Sequence, residues 1–430
     1  MGKPVGPPKR ATLLIRNISQ LVTLQGASPR KGADMNNLAI IESAGLAVSG
    51  DSVLAIGPSD EIEGQVDLAP GCHLIDAGGG VVTPGFVDSH THPVFNMTRE
   101  KEFEMRLQGK SYMEIADSGG GIRASVRDLR ATDEKTLRLR LNGRLDRMLA
   151  HGTTTVEAKS GYGLSTASEL MSLEVIKYLN ERHPLEIIPT FLGAHEVPDE
   201  HRSNRAEYIK ILINEMIPQV AEKNLANFCD IFCEKGVFSV VESREILKAA
   251  AKHGLKLKLH ADELDSSGGA ELACELGAVS ADHLVSVSSD GISALAKSNT
   301  IATLLPGTTY SLGLKNFAPA RDLIERGAII ALATDCNPGS NYCESMPMII
   351  SLACVHYRLT PAEAICAATV NAAAALGLAG ERGQINIGGV ADLVVWDAGD
   401  YREIPYHYGV NLVREVIKSG KVVVQQNKKA

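Results

Sequence analysis

The chain has 430 residues, 44% hydrophobic and 22% charged, with a formal net charge of -8, a composition suited to one large globular domain and a smaller one. The acidic excess disfavours nucleic acid and anionic membrane as partners. No apolar run approaches the roughly 18 residues of a membrane span, and Met1-Gly2-Lys3-Pro4 opens no apolar leader, so a cytoplasmic location is expected. The eight cysteines form no C-x-x-C pair and are expected to be reduced and packed as small hydrophobes. Cys229 and Cys233, four apart, have no second pair with which to build a metal site.

Up to about residue 83, short apolar runs (Ala11 to Ile15, Gly45 to Val48, Ser52 to Ile56) alternate with turn signals, predicting a small antiparallel β unit. From Pro84 the rhythm changes. Apolar runs end near Asp88, Lys159, Leu192, Cys233, His260, His283, Leu305 and Asp335. Helix-like stretches lie between them: Glu134 to Ala150, Ala167 to Asn180, Arg205 to Glu222, Glu242 to His253, Ala270 to Leu276, Gly291 to Ala296 and Ala318 to Arg326. Strand and helix alternating in this way predict a (β/α)8 TIM barrel. Thr360-Pro361-Ala362-Glu363 then reads as the capping box of one more helix, running to Leu376 and stopped by Gly377. Apolar runs at Ala391 to Trp396 and Val413 to Val424 predict strands that return to the first β unit. The expected domains are 1-83 and 385-430, together a small β-sandwich, around a barrel at 84-384.

The strand ends carry the chemistry. Val81, Val82, Phe86 and Val87 form a buried run behind which Ser89-His90-Thr91-His92 follows. Residues i and i+2 of a strand share a face, so His90 and His92 can aim two imidazoles at one point. In TIM barrels the active site sits at the C-terminal strand ends. There the sequence also places Lys159 to Gly163, His195, His260 with Glu263, Asp282-His283, and Thr334 to Ser340. Histidines and a carboxylate meeting above one barrel suit a zinc or iron site with a position open for water.

Pro84-Gly85-x-x-Asp88-x-His90-x-His92, with His260, His283 and Asp335 on later strands, resembles the metal-dependent amidohydrolase superfamily. Lys159-Ser160-Gly161-Tyr162-Gly163-Leu164, Leu192-Gly193-Ala194-His195, His260-Ala261-Asp262-Glu263-Leu264 and Thr334-Asp335-Cys336-Asn337-Pro338-Gly339-Ser340, with Arg99 and Glu102-Phe103, are similar more narrowly to the imidazolonepropionase family. The likeness spans essentially the whole chain; Asn96-Met97-Thr98 departs from the small residues more usual there but leaves Arg99 in register.

The resemblance implies that His90, His92, His260 and Asp335 hold one Zn2+ or Fe ion per subunit. It implies that Arg99, Tyr162, His195, Glu263, Asn337, Gly339 and Ser340 contact the substrate, 4-imidazolone-5-propanoate, with Arg99 offering a fork to its carboxylate. Tyr112 is a weaker candidate for the same pocket. The implied reaction is hydrolysis of the cyclic amide C–N bond to N-formimino-L-glutamate, a step in histidine degradation. In it Asp335 accepts the water's proton, His283 hydrogen-bonds the carbonyl oxygen, and Glu263 either accepts a ring N–H or helps activate the water. A homodimer is the family-level expectation.

Other readings fit less well. His195 to His201 spaces its histidines too far apart for H-E-x-x-H, and Pro198 breaks the helix that motif needs. Gly119-Gly120-Gly121 lacks the G-K that a phosphate loop requires. Lys159 or Lys235 as a carbamate bridging two metals belongs to binuclear relatives, and Glu234 and Lys235 are expected to be structural. A heterocyclic amine deaminase on the same barrel needs no Arg99, and a non-catalytic scaffold needs no ligands.

Overall fold

A computed structural model describes residues 10–110, 114–115 and 118–426; Tyr112 lies outside them. Five strands come first: β1 (Ala11–Val22), β2 (Ile40–Ser49), β3 (Ser52–Pro58), β4 (Leu68–Asp76) and β5 (Val82–Pro84). Eight parallel strands follow: β6 (Phe86–Asp88), β7 (Thr153–Lys159), β8 (Glu186–Ala194), β9 (Phe228–Cys233), β10 (Lys256–Ala261), β11 (Ser280–His283), β12 (Ile301–Leu304) and β13 (Ile330–Leu332). The chain finishes with β14 (Leu393–Trp396), β15 (Val413–Lys418) and β16 (Lys421–Gln425).

Strands β6 to β13 pair in sequence order as the staves of a TIM barrel. The first and last staves join beyond their regular ends. Asp335 N donates to His90 O at 2.9 Å, His92 N donates to Cys336 O at 2.9 Å, and Thr91 bridges Cys336 in parallel. The Asp88 carboxylate accepts from Thr334 N (2.9 Å) and Thr334 Oγ1 (2.6 Å) just below. The segments that close the barrel are therefore the segments that carry His90, His92 and Asp335.

Both chain ends form one sheet in the order β16-β15-β14-β5-β1-β2-β3, with β4 also on β1. The expected antiparallel unit is in fact mixed: β1 takes β2 antiparallel but β4 and β5 parallel. At 12 residues β1 is long enough to pair with β4 along its first half and with β5 at its end. Leu13, Ile15, Ile18 and Leu21, whose alternation is interrupted by a bulge between Ile15 and Ile18, meet Leu393, Val395 and Ile417 in a separate apolar interior. Trp396, fully buried, packs on Phe86 at 5.5 Å and donates to Thr83 Oγ1, fixing the sheet to the first stave.

The capping box at Thr360 forms as expected, but the single helix predicted to Leu376 is two, Pro361–Ala367 and Val370–Ala375. Thr369 breaks it: its hydroxyl bonds back to Ile365 O, and its backbone leaves the helical region at φ -129, ψ -94. A π turn at Leu212–Met216 likewise interrupts the helix expected from Arg205 to Glu222. Among the described residues no helix is long and apolar enough to cross a membrane.

Candidate metal centre and active site

Five histidines from four strand ends, β6, β8, β10 and β11, converge in the barrel mouth. His90 Nε2 lies 3.2 Å from His92 Nε2, which lies 3.2 Å from His260 Nε2. Asp335 Oδ1 approaches the same nitrogens, 3.7 Å from His90 and 3.5 Å from His92. His195 stacks on His92 with ring centroids 5.0 Å apart, and His283 stands 5.3 Å from His90 and 5.1 Å from His260. Tyr162 closes one wall, 5.3 Å from His195 and 6.2 Å from His92.

These nitrogens fit a cation. His90 Nδ1 bonds Asp282 Oδ2 at 2.6 Å, and His260 Nδ1 pairs with Asp230 Oδ2 at 3.0 Å. The Asp282 carboxylate accepts the Nδ1 proton of His90, so that ring turns an Nε2 lone pair toward the common point, the tautomer that metal-bound histidines adopt. Against the effect of burial, the Asp230 charge beside His260 Nδ1 raises the pKa of that ring. Burial holds His90 and His92 well below the ordinary histidine range, helped by neighbouring cations and rings, so neither carries a charge of its own there. An ion among these nitrogens would take up the lone pairs that their 3.2 Å contacts leave without a proton. The described residues offer several overlapping triads for that ion, including His90, His92 and Asp335 and also His90, His260 and His283.

The other carboxyls are tuned by their surroundings. Thr308 Oγ1 donates to Asp335 Oδ2 at 2.5 Å, which leaves Oδ1 for the histidines. Burial pushes Asp335 up to about 6, with the Thr308 bond opposing it. Glu263 is pushed further, to about 8, by burial and then by the Asp335 charge. Its Oε1 lies 3.6 Å from His283 Nδ1, while His283 Nε2 is buried without a hydrogen-bond partner. Backbone strain gathers at these positions: Asp262, His283 and Asp335 adopt φ of 50, 78 and 52°, a region that side chains rarely occupy.

The predicted substrate-contact residues divide. The Arg99 guanidinium gives Nε and Nη2 to Glu102 Oε2, at 2.9 and 2.6 Å, and lies against Gly339. Burial raises the Tyr162 phenol far above its ordinary value, and the nearby Arg99 charge offsets part of this. Asn337 is engaged within its own loop: Oδ1 accepts from Gly339 N (2.8 Å) and Ser340 N (2.7 Å), while Nδ2 donates to Asp335 O and Ser340 Oγ. It shapes the turn that presents Gly339 and Ser340. His195 Nδ1 bonds Gly161 O at 2.9 Å, and a side chain at Gly161, where φ is +114°, would crowd that ring. A cavity of about 740 Å³ lies beside the mouth, lined by Arg99, Glu102, Arg144 and Tyr342.

Further groups support these positions, and of them Glu169 and Arg106 carry no signal in the sequence. Glu169 Oε1 accepts from Gly163 N and Leu164 N, both at 2.8 Å, and so pins the Tyr162 loop. Glu234 accepts from Leu264 N and Ser267 Oγ, holding the loop of Glu263, while Lys235 is exposed. Lys159 is enclosed by Glu157 and Asp230 at 2.7 Å each. Arg106 donates to Gly339 O at 3.1 Å.

The contact at Gly339 yields a direct test. A methyl group there would overlap the Arg99 guanidinium, so Gly339→Ala should displace Arg99 and raise KM by about tenfold, the equivalent of ~1.4 kcal/mol. Steady-state kinetics decide it, and a KM equal to wild type would show that Arg99 does not need this seat.

The chain matches the Amidohydrolase family model over residues 81–423. It is 48% identical to an imidazolonepropionase of Geobacillus thermodenitrificans over 97% of this chain and 99% of that one. It is 47% identical to an imidazolonepropionase of Bacillus velezensis, over 97% and 98%. Among solved structures, a 5-methylcytosine deaminase from Klebsiella pneumoniae liganded with phosphonocytosine superposes with TM-score 0.72 at 17% identity, covering 97% of this chain and 99% of that one. An adenosine deaminase from Xanthomonas campestris with bound zinc gives 0.68 at 19%, covering 98% and 94%. These two likenesses speak to the fold, whereas the sequence identities reach further: the chain belongs to the amidohydrolase family and, within it, to the imidazolonepropionases.

Proposed function

We propose that the protein hydrolyses the cyclic amide C–N bond of 4-imidazolone-5-propanoate, giving N-formimino-L-glutamate in histidine degradation. The observation that carries this reading is the juxtaposition of a histidine–aspartate cluster with Arg99, seated on Gly339 near Tyr162, in a chain nearly half identical to imidazolonepropionases. His90, His92, His260 and Asp335 would hold one ion, and their nitrogen and oxygen donors suit Zn2+ or Fe. When bound, such an ion supplies Lewis acidity and lowers the pKa of water.

The side chains have separable tasks. Arg99 takes the propionate carboxylate, and its fork is oriented by Glu102. Tyr162 and His195 form the wall against which the planar ring lies. Water adds to the ring carbonyl carbon, and Asp335 accepts its proton; of the two mouth carboxyls it is the one that ionises first. His283, neutral and with a buried Nε2, hydrogen-bonds the carbonyl oxygen as charge gathers there. Glu263, pushed up to about 8 by burial, keeps its proton near neutral pH and so would face the ring as a donor, not as the acceptor or water-activating base expected from the sequence. When the C–N bond breaks, the proton held by Asp335 passes to the departing nitrogen. The carbonyl carbon becomes the new carboxylate, and the nitrogen becomes the formimino NH.

The test is the loss of freshly made 4-imidazolone-5-propanoate, followed by its absorbance before and after chelation. Expected is turnover that chelation abolishes and added Zn2+ or Fe2+ restores. Turnover indifferent to chelation, or ammonia release from heterocyclic amines in place of ring opening, would overturn the reading.

A further inference from the structure

Beneath the metal centre the barrel interior is ionic where a TIM barrel is ordinarily filled with branched apolar side chains. Glu157 and Lys159 on β7, Asp230 on β9, Lys258 on β10 and Asp282 on β11 are all fully buried. Their contacts are continuous. From His90 Nδ1 the path runs to Asp282 (2.6 Å), Lys258 (3.8 Å) and Glu157 (3.0 Å). It goes on from Glu157 to Lys159 (2.7 Å), Asp230 (2.7 Å) and His260 Nδ1 (3.0 Å). Both ends are imidazoles of the centre. Glu157 is the middle of the chain, giving one oxygen to each lysine, and Thr190 Oγ1 on β8 donates to its Oε1 at 2.6 Å. Lys258 also donates to Ser89 O at 2.7 Å, one residue before His90.

Five buried charges are expensive, and a buried ion array is weak evidence for stability, since apolar side chains of similar size do as well or better. The arrangement has another use. Each lysine neutralises the carboxylate that orients a ligand ring, and Glu157 sets the position of both lysines. Three carboxylates against two lysines also leave an excess negative charge in low dielectric, a few residues below the point where a cation would sit.

We propose that Glu157, Lys159 and Lys258 are positioning residues for the metal centre: through Asp230 and Asp282 they fix the His260 and His90 rings with Nε2 directed at the ion. This rests on the reading of those histidines as ligands. Without the Glu157 charge, Lys159 is drawn wholly to Asp230 and Lys258 to Asp282, loosening the two carboxylates from their imidazoles. Changes to partners of this kind typically weaken metal binding by about 10- to 100-fold.

The experiment is chelator competition for Zn2+ on the full-length wild-type, Glu157→Gln and Thr190→Val proteins, with thermal melting of each in metal-free form. Expected is at least a tenfold weaker Zn2+ dissociation constant for Glu157→Gln. Thr190→Val removes only the hydroxyl that steadies Glu157 and should lose about threefold, with no additional loss when added to Glu157→Gln. A Glu157→Gln protein that melts lower yet binds Zn2+ within twofold of wild type would reduce the array to a structural role and overturn the proposal. If that chain does not fold, the Thr190→Val protein decides, and an unchanged dissociation constant overturns it. Failure of the wild-type protein itself to take up stoichiometric Zn2+ would strike the ligand assignment instead.

Discussion

A His260→Ala protein should emerge without its metal ion and with kcat reduced by about a thousandfold or more, while still melting cooperatively. His260 contributes one of three imidazole nitrogens gathered within 3.2 Å contacts, and loss of the ion removes several kcal/mol of charge stabilisation, each ~1.4 kcal/mol being tenfold in rate. The fold should persist because β10 keeps its pairing with β9 and β11 through backbone bonds that the side chain does not enter. Metal analysis, circular dichroism and a turnover assay settle the matter together. A folded variant that retains stoichiometric metal and near wild-type rate would remove His260 from the ligand set.

Arg99→Met should act on KM, raising it by about a hundredfold while kcat changes little. Hydrogen bonds between charged groups contribute ~1.5–3 kcal/mol apiece, so losing a carboxylate fork costs about 3 kcal/mol, or about two powers of ten in affinity. The methionine keeps much of the apolar stem and removes only the guanidinium that lies against Gly339, so the effect isolates the charged fork. Steady-state measurement of both constants is the check, and an unaltered KM would end the carboxylate-binding role. Removing Arg99 also strips Glu102 of its partner, though Glu102 Oε1 still accepts from Gly121 N.

The strand ends that carry the histidine cluster were legible because parallel barrel strands are buried on both faces and read as apolar runs that stop at polar residues. The runs predicted to end at Lys159, Cys233 and His283 do so in β7, β9 and β11. The ionic layer below them was not read, although a signal was present. Glu157-x-Lys159 and Lys258-x-His260 each place two polar side chains on one face of a buried strand, and that face looks into the barrel. In Cys229-Asp230-Ile231-Phe232-Cys233 the aspartate is a lone acid in an apolar run, which alone does not tell an inward ion pair from a strand-edge residue. The pairings themselves join residues as far apart as His90 and Asp282, a separation of 192, and no local pattern specifies such a partner. Thr369 shows the opposite limit. A run of alanines has high helix propensity, and the break at Thr369 joins a local back-bond to Ile365 O with the close packing of Gly383 against the Thr369 backbone, a contact no local pattern specifies.

The seam between β5 and β14 has a consequence for how the molecule is made. Leu393 pairs with Pro84 and Val395 with Val82, about three hundred residues apart along the chain. A ribosome delivers β1 to β5 before the barrel and β14 to β16 after it. For the whole of the interval in which the barrel is translated, β5 presents an open edge, and the apolar side chains of β1 and β2 lack the Leu393, Val395 and Ile417 that later cover them. Nascent chains arrested before residue 393 should therefore be the aggregation-prone species of this protein, and synthesis of β14 and β15 is the step that seals it.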